Sequence, residues 1–181
     1  MSINVIGAGL AGCEAAWQIS KRGIKVNLFE MKPYKFTPAH KNKNFAELVC
    51  SNSLKAERIE SAAGLLKEEM RMLESLLMEC ADKCKVPAGG ALAVDRDNFS
   101  EMVTKRIKEN SLINVIEKEV IDIPKDNITI IATGPLTSDL LSKSISNICG
   151  GCLSFFDAAA PIVTAESIDL NKAFLASRYD K

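Results

Sequence analysis

Neither sign of charge predominates in this chain: 23 basic and 23 acidic residues leave a formal net charge of zero. That balance excludes a protein that holds nucleic acid mainly by overall charge and leaves room only for a local basic patch. Long hydrophobic runs are missing as well. No stretch approaches the roughly 18 to 20 apolar residues that cross a bilayer, so no membrane contact is expected. The apolar start INVIGAGLAG lacks a basic leader and is broken by glycines, unlike a secretory signal. Histidine is nearly absent, with His40 the single one, so imidazole has little to offer a metal site and none is expected. Internal repeats and low-complexity segments are absent, and no compositional bias points to disorder or a fibre.

What remains is a chain of 181 residues, 47% hydrophobic, long enough for one domain with an ordinary core. It has six cysteines: Cys13, Cys50, Cys80, Cys84, Cys149 and Cys152. Without a signal sequence they read as reduced thiols of a cytoplasmic protein, not as a disulfide framework.

The chain opens with a buried strand over Ile3–Ile6, a helix from about Leu10 to Lys21 and a second strand over Ile24–Phe29 closed by Glu30. Strand, glycine turn, helix, strand is the βαβ unit of a parallel sheet. Residues 31–44 hold two prolines and several lysines without a period, which predicts a loop. From Gly64 to about Cys84 the apolar residues Leu65, Leu66, Met70, Leu73, Leu77, Cys80, Ala81 and Cys84 fall near helical spacing and predict one long helix. Val86–Val94 predicts a turn into a short strand, and Asp95 an N-cap for the helix that follows. INVIEKEVIDI predicts two short strands or one bent one, NITIIATG a strand ending at Gly134, and SDLLSKSISNI a short helix. Ser51-Asn52-Ser53, after Cys50, predict a turn or a helix cap.

The most informative stretch is Gly7-Ala8-Gly9-Leu10-Ala11-Gly12. Gly7 permits the sharp turn out of the strand, Gly9 lets backbone approach a pyrophosphate, and Gly12 lets helix and strand pack closely. The helix N-terminus then faces the phosphates with unpaired N–H groups and a partial positive charge. Glu30 stands 18 residues after Gly12, at the end of the second strand, where a carboxylate accepts hydrogen bonds from ribose hydroxyls and repels a 2′-phosphate. TIIATG, closing a late strand at Gly134, resembles the second motif of two-dinucleotide-fold flavoproteins and favours FAD over a nicotinamide cofactor.

The blocks GAGLAG, AELVCSNS, GLLKEEMR, PAGGALAVDRDNFS, IIATGPLTSD and DAAAPIV stand in that order along the chain. Together they resemble the folate- and FAD-dependent tRNA (uracil-5-)-methyltransferases, the TrmFO family, over essentially the whole length. The sister flavoenzymes that modify the tRNA wobble uridine share the glycine motif, but VCSNSL and GGALAVDRD fit the methyltransferases better. The resemblance implies FAD as cofactor, 5,10-methylenetetrahydrofolate as one-carbon donor, NAD(P)H as reductant and C5 of the T-loop uridine of tRNA as acceptor, giving 5-methyluridine. It also implies cysteine chemistry near the flavin, with Cys50 at the matching position. C5 of uracil is a poor nucleophile until a thiolate adds at C6, and a thiolate can alternatively hold or relay a methylene electrophile. Either role needs a lowered thiol pKa, for which a helix capped by Ser51, Asn52 or Ser53 is one source.

The expected architecture is α/β: a Rossmann-like FAD-binding domain around a parallel central sheet over residues 1–149, with residues 150–181 beginning an inserted substrate domain. Members of the family are, by the resemblance, more than twice this long. The expectation is therefore an N-terminal portion, inactive alone, whose C-terminal half is missing or carried by another chain. Its sheet would leave an unpaired edge. A non-catalytic FAD-binding remnant is the alternative.

The remaining cysteines have plainer readings. Cys13, Cys80 and Cys84 fall on helix faces where core packing is expected over metal binding. Cys149-Gly-Gly-Cys152 has the spacing of zinc or redox pairs, yet a single pair does not make a zinc site. Lys32, Lys35, His40, Lys41 and Lys43 read as a solvated loop, with contact to tRNA phosphates or to the folate glutamate tail as the alternative. Asp95 and Arg96 read as a cap and a surface charge.

Overall fold

The computed structural model describes residues 2–151, 164–169 and 171–173. In chain order it has strand β1 (Ser2–Ile6), helix α1 (Leu10–Lys21), strand β2 (Lys25–Glu30), a long irregular segment, and strand β3 (Ser53–Ala56). Helices α2 (Ala62–Met72) and α3 (Leu76–Lys83) follow, then strands β4 (Lys85–Val86) and β5 (Ala91–Val94) and helix α4 (Arg96–Lys108). Strands β6 (Ile113–Glu117) and β7 (Thr129–Ile131), a 3-10 turn at Gly134–Leu136 and helix α5 (Asp139–Cys149) complete the main elements.

Four strands form a parallel sheet in the order β6-β2-β1-β7. Alternation sets its two faces. Val5, Val26 and Leu28 are buried in one core with Cys13 and Ala16 of α1, Leu76 and Cys80 of α3, and Phe99, Val103 and Ile107 of α4. The alternate positions Asn4, Asn27, Asn114 and Thr129 sit in register across all four strands. Asn27 Nδ2 donates to Asn4 Oδ1 at 3.1 Å, Asn114 Nδ2 to Asn27 Oδ1 at 3.3 Å, and Asn4 Nδ2 approaches Thr129 Oγ1 at 3.5 Å. A one-residue slip would break this row and expose the apolar face, so the carboxyl ends of β1 and β7 are held level. β3, β5 and β4 form a small antiparallel sheet beside the first.

Several expectations hold. The opening βαβ unit lies where its pattern places it. Asp95 caps α4, accepting from the N–H groups of Asp97 at 3.1 Å and Asn98 at 3.0 Å. Among the described residues β7 pairs only with β1, and Ile130 and Ile131 are 36% and 38% exposed.

The predicted helix over Gly64–Cys84 is two helices. Glu74 adopts φ +55, and Ser75 caps α3 by accepting from Met78 N. The Glu14 carboxylate fixes the break, accepting from Ser75 Oγ at 2.7 Å and Leu77 N at 3.1 Å. The apolar stripe divides accordingly: Leu65, Leu66 and Leu73 are exposed, whereas Leu77, Cys80, Ala81 and Cys84 are buried. No helix starts after Cys50. Ser51 Oγ accepts from Ser53 N at 3.0 Å in a local turn, and β3 begins at once. The helix-terminus source of thiol activation is therefore absent there. INVIEKEVIDI yields one strand, not two, and NITIIATG leaves the sheet at Ile131. Most of residues 150–181, including Cys152 and the expected start of a second domain, lies outside the described residues.

Candidate functional site

β2 flanks β1 on one side and β7 flanks it on the other. The crevice at the carboxyl ends of β1 and β7 is thus the switch point at which parallel sheets bind ligands. The glycine turn after β1 forms one wall and Ala132-Thr133-Gly134 after β7 the other. They touch: a Cβ on Gly7, whose φ is +96, would lie 2.8 Å from Ala132 O. A Cβ on Gly12 would lie 1.7 Å from Gly7 O, so α1 sits on the turn as only glycine allows. Around Gly9, in contrast, a Cβ would meet nothing within 4 Å. The N–H groups of Gly9, Leu10, Ala11 and Gly12 have no acceptor among the described residues, and no side chain caps α1. Open space faced by four free N–H groups and the positive end of a three-turn helix fits a pyrophosphate.

The middle of the turn is held from behind. Ala8, 1% exposed, has both backbone groups occupied: its N–H donates to Glu30 Oε2 at 2.7 Å, and its carbonyl accepts from Ala46 N at 2.9 Å and Cys13 Sγ at 3.3 Å. Glu30 is buried, and its Oε1 accepts from Lys32 N at 3.0 Å. Glu30 is therefore a buttress of the glycine turn, with its remaining lone pairs at the strand end. Glu30→Gln puts an NH2 where one of these buried N–H groups needs an acceptor. We expect a loss of about 1–3 kcal/mol in denaturant unfolding, and an unchanged midpoint would contradict the buttress.

Ala46 is fully buried at φ +50, a left-handed conformation uncommon for a residue with a Cβ. The conformation is over-determined. Phe45 N donates to Thr104 Oγ1 at 2.8 Å on one side, and Ala46 N reaches Ala8 on the other. Lys32, expected in a solvated loop, is instead 5% exposed. Its Nζ donates to Asn42 O at 3.1 Å and to Asn44 O, and lies 3.7 Å from Glu47 Oε2. Carbonyls and a carboxylate folded around one ammonium tie the segment together. His40 is held by Thr37 Oγ1 at 2.6 Å from Nδ1; burial, then Lys32, lowers its pKa.

Cys50 follows this pinned segment. It is exposed and stands four residues beyond Ala46, so its Cα lies within roughly 14 Å of the residue that touches the glycine turn. The fold thus brings Gly7, Ala8, Gly9, Leu10, Ala11, Gly12, Glu30 and Gly134 together and tethers Cys50 nearby. Gly134, at φ +65, opens the 3-10 turn on the facing wall.

The other cysteines differ from Cys50 in access. Burial pushes the Cys13 thiol far up, and burial with Glu79 pushes Cys80 up to about 11. Cys84 is also raised, by burial and then Asp95. Cys149 is exposed. Iodoacetamide labelling of the native chain at pH 8 is expected to modify Cys50 and Cys149 and to spare Cys13, Cys80 and Cys84 until unfolding. Peptide mass mapping checks this, and rapid modification of Cys13 would contradict the packing described.

The glycine cradle at a parallel-sheet switch point defines a Rossmann-like domain of the FAD-binding class. The sequence model of the glucose inhibited division protein A family matches residues 2–181, and the chain belongs to that family. The structure of Aquifex aeolicus GidA superposes with a TM-score of 0.54 at 19% identity, over 69% of this chain and 21% of that one; this likeness concerns the fold. A methylenetetrahydrofolate–tRNA-(uracil-5-)-methyltransferase TrmFO of Acetivibrio thermocellus is 68% identical over 180 residues, 99% of this chain and 41% of the relative. Namesakes from Pelotomaculum thermopropionicum and Lactobacillus gasseri are 61% and 60% identical over 181 residues, again 41% of each. The chain therefore spans about two-fifths of the length of these curated relatives.

Proposed function

We propose that the chain forms the FAD-cradling part of a methylenetetrahydrofolate-dependent tRNA (uracil-5-)-methyltransferase. The observation that carries the reading is an open, amide-lined cradle coupled through Ala46 to the segment bearing an exposed Cys50. The 68% identity to a curated methyltransferase supplies the substrate class. Gly7, Gly9 and Gly12 with the N–H groups of Gly9 to Gly12 hold the pyrophosphate, Gly134 borders it, and Glu30 meets the ribose with its spare lone pairs. Bound there, FAD supplies the redox chemistry that turns a folate-borne methylene into a methyl group, with NAD(P)H as reductant.

The work of the chain's own residues is positioning and nucleophilic activation. The Cys50 thiolate adds to C6 of the target uracil, and the C5–C6 π electrons move onto the C4 carbonyl oxygen, leaving an enolate with nucleophilic C5. Attack of C5 on the methylene carbon, loss of the C5 proton and departure of the folate nitrogen would leave an exocyclic methylene; a hydride equivalent originating from NAD(P)H would reduce it to methyl, and cleavage of the S–C6 bond would then restore the C5–C6 double bond and free the thiolate. Residues outside this chain complete the site, so turnover by the 181-residue chain alone is not expected. The test is a chimera in which this chain replaces the matching 41% of the Acetivibrio thermocellus relative. Retained flavin and methyl transfer to T-loop uridine support the reading. A chimera that binds FAD and methylates no uridine refutes it.

A further inference from the structure

The segment that leads to Cys50 forms one wall of a groove of about 800 Å³, and the first turn of α4 forms the other. Lys41, Lys43 and Arg96 line it, and all three are exposed. None has an ion-pair partner among the described residues. Their neighbours behave differently: Lys32 faces Glu47 at 3.7 Å and Lys35 meets Glu119 at 2.7 Å. Two carboxylates, Glu47 and Asp97, also line the groove, and neither forms an ion pair with these three cations among the described residues. Glu47 Oε1 accepts from the N–H groups of Lys41 and Asn42 at 3.0 and 3.1 Å, and its Oε2 is buried against Lys32. Asp97 is exposed on the α4 wall with Oδ1 3.5 Å from Asn42 Nδ2, so three cations face one free carboxylate. Apolar surface is interleaved with the charge. Phe36 is 41% and Val49 36% exposed on the groove, with Tyr34, 80% exposed, two residues before Phe36. Cys50 directly follows Val49.

Unpaired cations alternating with an exposed ring are what a flexible polyanion with stacking bases uses: phosphates meet the cations and a base lies on the ring. With no net charge on the chain, such affinity is local and set by this groove. A compact dicarboxylate would be better served by a desolvated bidentate arginine; Arg96 is exposed and the cations are spread along an open trough. We infer that this groove holds the sugar-phosphate backbone of unpaired RNA nucleotides next to the base presented to Cys50. The inference rests on the methyltransferase reading for the identity of the RNA.

The test titrates the 181-residue chain into fluorescein-labelled T-arm stem-loop RNA and follows anisotropy from about 50 to 200 mM salt. The triple variant K41Q/K43Q/R96Q is expected to bind about tenfold more weakly at 0.1 M salt, with a slope of log K against log salt shallower by about 2. Lys105→Gln, on a separate groove along α4, is the charge control and leaves both unchanged. If the triple variant fails to fold by circular dichroism, the single variant K43Q is read instead, with a slope change of about 0.7. Equal slopes in wild type and variant overturn the proposal, as does no RNA binding by the wild type. Binding of pentaglutamyl folate that the triple variant abolishes, with RNA binding unaffected, overturns it in favour of the folate tail. The two readings fail separately. A slope change with a chimera unable to methylate sinks the methyltransferase reading alone, and a methylating chimera with unchanged slopes sinks the groove alone.

Discussion

Gly9→Ala is expected to leave the chain's thermal midpoint nearly unchanged and to weaken flavin retention by the chimera at least about tenfold. The first half follows from geometry. Gly9 has an ordinary negative φ of −72, and an added methyl meets no protein atom within 4 Å. The second half follows from the proposed pyrophosphate seat, because a pyrophosphate on the N–H groups of Gly9 to Gly12 needs the backbone bare. Gly12→Ala is the contrast. Its Cβ would lie 1.7 Å from the backbone oxygen of Gly7, so α1 or the turn must move, at about 3 kcal/mol or more. Both variants lose flavin, but only Gly12→Ala loses stability. Calorimetry with flavin absorbance after gel filtration separates them. A Gly9→Ala chimera with full flavin occupancy would mean that the turn is only a packing device.

The glycine turn was legible in the sequence because its constraints are local. Three glycines at fixed offsets, a strand before and a helix after are set by residues within one turn of each other, and so is the Asp95 cap. Where partners are far apart the sequence is silent. Helix period alone runs Leu65 to Cys84 together, and only Glu14, on another helix, shows why the chain breaks at Glu74. Lys32 looks like any loop lysine until residues 42, 44 and 47 fold over it. Ala46 in the left-handed region has no sequence signal, since alanine does not ordinarily favour it. A short, bulged β3 is missed because its pairing with β5 spans the whole α2–α3 excursion.

The candidate site repeats this division. Gly7 to Gly12, Glu30 and Gly134 were each identifiable from pattern, whereas the link between them and Cys50 was not. That link is a chain of contacts in which Glu30 and Ala46 grip the two sides of the Ala8 peptide and Lys32 joins the strand end to the segment before Cys50. Glu30 shows why function read from pattern is incomplete: its position suggests a ribose contact, whereas the structure shows its buried carboxylate restraining the glycine turn.

Cys50→Ser is expected to reduce methyl transfer by the chimera about a hundredfold or more, with flavin retention and RNA affinity unchanged. An exposed side chain on a turn stabilised by Ser51 and Ser53 contributes little to folding, so the oxygen-for-sulfur exchange leaves the scaffold intact. It changes the nucleophile: a serine hydroxyl is hardly ionised near neutral pH and adds poorly to C6 of uracil. The turn that follows Cys50 leads straight into β3 and offers the thiol no helix N-terminus. Full methyl transfer by the Cys50→Ser chimera would remove covalent catalysis from this cysteine and leave the exposed thiol without a role in the reaction.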